Sequence, residues 1–239
     1  MLHIWKLIIT LHWRKKNILW LIICGIFIFL CIPLLNSISL WEGAFVSNAF
    51  QHQITEIIGL LFLLYFGSTT LNQLDQNKVT QLLWSKKKQP VSFIVQIWWA
   101  IYSIYTFYIL LTMTAVLLVR GLDIDIMIWY ANLMISWGTI LTVIMLFSLL
   151  TNPYASMVSA LIIYSISYSI NFIIFSTPLS FQETFSFKAL SIIQYLFPRF
   201  DILYSTVWVQ WLRSIWANLL YWIVIYTIFV SVFLYHHKR

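Results

Sequence analysis

The sequence predicts an all-α integral membrane protein, and three observations lead to that prediction. Apolar residues make up 62% of the chain and charged residues only 9%, whereas about a quarter of the residues in a soluble domain are charged. Six apolar runs are long enough to cross a bilayer, which takes about 20 helical residues. No run alternates as the strands of an outer-membrane barrel do. Because lipid leaves unpaired backbone groups without partners, each run is expected to be a helix.

The first element is an amphipathic helix at residues 1–16. One helical face carries His3, Lys6, Thr10 and Arg14, and another carries Leu2, Trp5, Ile9 and Trp13. This pattern predicts a helix that lies flat at the inner membrane surface, with its tryptophans toward lipid and its cations toward the headgroups. The alternative is that the same helix also frames a docking surface.

The six predicted spans form a single transmembrane domain over residues 1–239. They cover residues 17–35, 54–71, 91–119, 126–150, 155–176 and 216–234. The first is too long for a cleaved signal peptide and lacks a small-x-small cleavage site after it, so it is expected to be a retained anchor. Its two cysteines, Cys24 and Cys31, lack metal-site spacing and are interpreted as small apolar side chains.

The distribution of Lys and Arg predicts the orientation of the chain in the membrane. With the N-terminus in the cytoplasm, ten Lys and Arg residues lie on the inner side and four on the outer side, as the positive-inside rule requires. Both termini are then cytoplasmic, in a bacterial-type inner membrane. The long outer segment 177–215 contains two apolar pieces, 189–197 and 200–212, which are too short to span and are separated by Pro198. They predict short helices that lie on the outer leaflet or re-enter it.

Catalytic motifs are absent from the sequence. It contains no nucleophile elbow, no His-Glu-x-x-His and no phosphate-binding P-loop. Glu56 is the one carboxylate inside a predicted span, and intramembrane acids are candidate functional residues because a buried charge is costly. It is interpreted either as lining a path or as an interfacial acid near the outer end of its helix. The chain is therefore expected to have no catalytic, cofactor or metal site of its own.

One long polar and basic segment interrupts the otherwise apolar sequence: residues 71–90, LNQLDQNKVTQLLWSKKKQP. Their apolar positions are Leu71, Leu74, Val79, Leu82 and Leu83. That spacing predicts a short amphipathic helix, followed by three lysines and then by Pro90, which ends it. The competing interpretation is a basic loop held on anionic lipid.

The order of residues in this loop carries a family resemblance. Gly67 near the end of the second span is followed by Asp75, the Leu82-Leu83 pair, Ser85 and then Pro90 before the third span. This order resembles the loop of ABC-2 type permeases, although Asn77 and Lys78 stand where that family has Gly-Thr. The topology is similar to that family over the whole chain.

The resemblance implies a permease subunit of an ATP-driven exporter. Residues 72–90 would form the cytoplasmic coupling loop, with ATPase contacts through Asp75, Lys78, Val79, Gln81, Leu82, Leu83 and Ser85. It also implies partners: a separate ATPase that holds ATP and Mg, a second copy or a related permease, and membrane lipids, but no nucleic acid. Two alternatives remain, a non-transporting membrane scaffold or accessory subunit and a membrane-embedded enzyme. The enzyme is disfavoured because no convergent His, Asp, Glu or Ser set is visible. The cargo is left open.

Overall fold

The structure, a computed structural model, describes residues 2–38, 43–76, 90–121, 124–176, 185–194 and 208–236. These residues are helical except at short turns, and no strand occurs among them. The helices are α1 (Leu2–Arg14), α2 (Asn17–Ile38), α3 (Gly43–Gln76), α4 (Pro90–Arg120), α5 (Ile124–Leu150), α6 (Pro153–Ser176), α7 (Phe185–Gln194) and α8 (Trp208–His236). The all-α prediction is confirmed for these parts of the chain.

Four of the described helices are long and apolar enough to cross a membrane. The stretches are His52–Leu74, Val95–Leu118, Ile126–Leu150 and Pro153–Ile170. They coincide with the second to fifth predicted spans. Among the described residues, the apolar stretches of α2 and α8 are shorter than these four: they are Asn17–Cys31 and Leu219–Val232. The chain is thus an apolar helical protein of the kind that membranes accommodate.

Helix α3 extends well beyond the span that hydropathy marked. The second predicted span covers residues 54–71, yet α3 begins at Gly43 and continues to Gln76. Hydropathy reports which part of a helix suits lipid, and it does not report where the helix ends. Past the apolar part the helix continues through polar residues, and the Asn72 side-chain amide donates to the Ser68 carbonyl, 3.0 Å away.

The helix ends follow from local sequence. Proline occupies the first position of both α4 and α6, where its missing N–H costs nothing. The Asn152 side chain caps α6 by accepting from the Ala155 N–H at 2.8 Å. Gly121 closes α4 with a left-handed φ of 86°, and its N–H reaches the Leu117 carbonyl at 2.9 Å.

The chain divides into two compact units. The first comprises Met1–Phe66 and Leu82–Met134, and in it α1 packs on α2 and α4 while α2 packs on α4. Its buried core includes Leu63, Phe66, Ile101, Tyr105, Tyr130 and Leu133. The second comprises Gly67–Gln81 and Ile135–Arg239, and in it α7 packs against α6. Its buried core includes Leu141, Ile144, Met145, Ala160 and Phe229.

The segment before the last helix differs from the predicted pattern in its boundaries. Helix α7 has ten residues, Phe185–Gln194, which is too short to span a bilayer. Helix α8 begins at Trp208, so residues 208–212 belong to the final long helix and not to a separate short one. Pro198 and the rest of residues 195–207 lie outside the described residues.

Candidate functional site

The predicted coupling segment begins inside α3. Asp75 lies in the last turn of this helix, which ends at Gln76, and Leu74 just before it is buried. The start of the segment is therefore a direct continuation of the second predicted span. The remaining predicted ATPase contacts, Lys78, Val79, Gln81, Leu82, Leu83 and Ser85, lie outside the described residues.

Gly67 lets α3 and α5 approach closely, one turn before the polar end of α3. A Cβ at this position would lie 2.8 Å from Cγ2 of Ile144 and 3.2 Å from Cδ1 of Leu141. Both residues are buried, and Cγ2 of a β-branched residue cannot easily move aside. Small residues serve in this way where membrane helices pack tightly. The contact fixes the position of α3 against α5 within the second unit.

Glu56 lies in the part of α3 that precedes Gly67 and belongs to the first unit, and its side chain is half-buried. One turn earlier on the same helical face is His52, whose ring stacks on the Trp129 indole with centroids 4.1 Å apart and planes 14° apart. Thr55, beside Glu56, is fully buried. Glu56 therefore lies with the polar residues His52 and Thr55 near one end of the apolar stretch of α3. The sequence pattern did not indicate the His52–Trp129 stack, because the two residues are far apart along the chain.

Helix α1 has three faces, one more than its sequence pattern indicated. Ile8 and His12, one turn apart, are each only 1% exposed and form the face that packs into the first unit. Trp5 and Trp13 are exposed, but the Trp5 indole N–H also donates to the Ser103 hydroxyl of α4 at 3.1 Å. The sequence pattern did not indicate this face, because a histidine close to cations, such as His12, is usually exposed to water.

His12 is held as a neutral imidazole. Its Nδ1 accepts from the Asn17 side-chain amide at 3.2 Å, and its ring packs on Phe66 with centroids 4.6 Å apart. Burial and, to a smaller extent, the positive charge of Lys15 together lower the pKa of His12 from 6.5 to about 4. The histidine therefore joins α1, the start of α2 and α3 without carrying charge at neutral pH.

Comparisons with known proteins identify no relative. No family model, curated protein or solved structure matches this chain. Among the described residues, no three His, Cys, Asp or Glu side chains gather closely enough to hold a metal ion. What the described residues offer is a packed helical scaffold, a long helix that leads into the polar segment and a cationic surface at α1.

The buried His12 predicts a pH-dependent stability. The unfolded chain takes up a proton near 6.5 and the folded chain only near 4, so the unfolded state binds more protons between these values. The free energy of unfolding should therefore fall as the pH falls from about 7 to about 5, by about 2 kcal/mol. Thermal unfolding in detergent at the two pH values measures the effect. The His12→Phe variant is the control and should lose this part of the pH dependence; an unchanged dependence would contradict the burial of a neutral His12.

Proposed function

We propose that this chain is the transmembrane subunit of an ABC transporter of the ABC-2 type, acting as an exporter with a separate ATPase. The observation that carries the proposal is the continuity of α3. This helix contains one of the four apolar stretches suited to the bilayer and continues without a break through Asp75 into the amphipathic, basic segment. A partner that binds the segment would act directly on a helix that crosses the membrane.

Six spans are part of the proposal. The four long apolar stretches supply the second to fifth, and the apolar parts of α2 and α8 supply the first and sixth. Helix α7 supports a short element at the outer leaflet, because it has ten residues and packs on α6. Helix α1, with exposed tryptophans and an exposed Lys6, fits the inner membrane surface.

In this mechanism the chain supplies the path and the partner supplies the energy. ATP binding closes a pair of ATPase subunits, and each passes its movement to α3 through residues 72–85. Two permease chains, identical or related, enclose a path that opens alternately to the two sides. Glu56 and His52 lie at the outer end of the apolar stretch of α3 in this orientation.

Purification with a cognate ATPase tests the proposal. The tagged chain, extracted in mild detergent from its native host, should retain a nucleotide-binding ATPase in stoichiometric amount, and transport should require ATP hydrolysis. The same extraction with a chain that lacks residues 72–85 serves as the control. A stoichiometric partner with no nucleotide site would instead support the scaffold function.

The topology makes a separate prediction. With both termini inside and six spans, a cysteine introduced at Ser47 should react with a membrane-impermeant reagent from outside, and one at Ser85 only from inside. Both sites must be examined in the same Cys24- and Cys31-free background, so that the reagent reports one thiol at a time. Reaction of both positions from one side would rule out this arrangement.

A further inference from the structure

We propose that Arg14, Lys15 and Lys16, here called the basic turn, bind the headgroup of an anionic phospholipid, with Trp13 and Trp20 at its sides. The three cations are consecutive and exposed. They stand directly before Asn17, where the apolar helix α2 begins. In a chain that enters the membrane along α2, this is the level of the lipid headgroups.

The basic turn has a defined backbone. Lys16 adopts a left-handed φ of 59°, which few residues other than glycine adopt readily. Its N–H donates to the Trp13 carbonyl at 2.9 Å, and its carbonyl accepts from the Trp20 N–H at 3.0 Å. The left-handed residue separates α1 from α2 and places the cations between the two helices.

The two tryptophans make the surface suitable for a lipid. Trp13 is 60% exposed and Trp20 is 58% exposed, and along the sequence the first precedes the basic turn and the second follows it. Indole rings favour the boundary between headgroups and acyl chains. A cationic turn between two such rings fits a ligand that carries both a phosphate and acyl chains.

The helix that bears the basic turn is fixed in place. Ile8 and His12 are buried against the first unit, and Trp5 is hydrogen-bonded to Ser103 of α4. Because α1 cannot rotate about its axis without breaking these contacts, the exposed Arg14 at its end keeps a fixed orientation relative to the first unit. A fixed platform lowers the ordering cost of binding.

Charge complementarity selects the anionic lipid. The sequence contains no Asp or Glu before Glu42, so the side-chain charges of residues 1–41 are all positive. Each cation near an anionic membrane surface strengthens association about fivefold, so three give about a hundredfold.

Lipid counting on the purified full-length chain tests the inference. The protein in detergent is titrated with phosphatidylglycerol or phosphatidylcholine, and bound lipids are counted by native mass spectrometry. The wild type should retain phosphatidylglycerol in preference, and Arg14→Gln/Lys15→Gln/Lys16→Gln should lose most of that preference. The charge-matched control, Lys86→Gln/Lys87→Gln/Lys88→Gln, should keep it. A charge-retaining variant, Arg14→Lys/Lys15→Arg/Lys16→Arg, should also keep it.

Three outcomes would overturn the inference. The first is unchanged preference in the basic-turn variant, and the second is equal loss in the Lys86, Lys87 and Lys88 control, which would indicate general attraction to a cationic protein. The third is equal competition by soluble glycerol phosphate, which would indicate a phosphate site without a role for acyl chains. If the basic-turn variant fails to elute as a folded species, Trp13→Ala/Trp20→Ala replaces it, and retained preference in that variant overturns the inference equally.

Discussion

Replacing both Leu82 and Leu83 with aspartate is expected to abolish ATPase binding and transport while the membrane domain still folds. In the proposed function these leucines insert into an apolar pocket of the ATPase, and Asp75 and Lys78 form the polar rim. Two carboxylates in that pocket would be buried without partners, at a cost of several kcal/mol to the interface. Pull-down with the ATPase and ATP-dependent transport in vesicles measure the loss.

The matched control changes charge outside the proposed contact. Neutral substitutions at Lys86, Lys87 and Lys88, which follow residues 72–85 in the sequence, should leave ATPase binding intact. Equal elution volumes for all variants in detergent show that the membrane domain is folded. If the double aspartate variant binds the ATPase and transports at the wild-type rate, residues 72–85 are not the coupling element.

The Gly67→Leu substitution should be among the most destabilising single changes in the chain. Even the first added carbon would lie 2.8 Å from Cγ2 of Ile144, and the rest of the leucine must displace the buried α5 surface. Overpacking of this kind costs about 3 kcal/mol or more. We expect a lower midpoint of thermal unfolding in detergent and a smaller folded fraction on size-exclusion chromatography.

A smaller pair of variants isolates the contact. Gly67→Ala should destabilise by about 1–3 kcal/mol, and addition of Ile144→Ala, which removes Cγ2, should make the alanine at 67 less harmful than it is in the wild-type background. Gly25→Ala is the comparison site: its Cβ would meet Cδ2 of Leu111, the end of a flexible side chain that can rotate away. Additive effects of Gly67→Ala and Ile144→Ala would show that the two helices do not meet there.

The spans were the part of the fold that could be predicted from the sequence. Apolar runs identify helices suited to lipid because transfer into a bilayer depends on composition, and residues 91–119, 126–150 and 155–176 match α4, α5 and α6 closely. The second predicted span is shorter than α3 at both ends, because a helix continues through polar residues such as Asn72 as well as through apolar ones. Hydropathy has no information about that continuation.

The candidate site was predictable only in part. Periodicity placed the cations and tryptophans of α1 correctly on exposed faces, but tertiary packing decided that His12 would be buried. Glu56 was singled out as a candidate because it is an acid in an apolar run. The stack of His52 on Trp129 joins residues that are far apart in the sequence, so no local pattern indicates it. The coupling contacts from Lys78 to Ser85 stay predictions.

The close contact at Gly67 has a mechanical consequence for α3. From Gly67 to Gln76 the helix extends about 14 Å, and from Gly43 to Gly67 about 36 Å, at about 1.5 Å per residue. The part of α3 that belongs to the second unit is therefore the shorter one, and the Gly67 contact lies at its beginning. A sideways displacement of α3 at Gln76 would press this short length of helix on Ile144, so that α5 of the same unit would have to move with it.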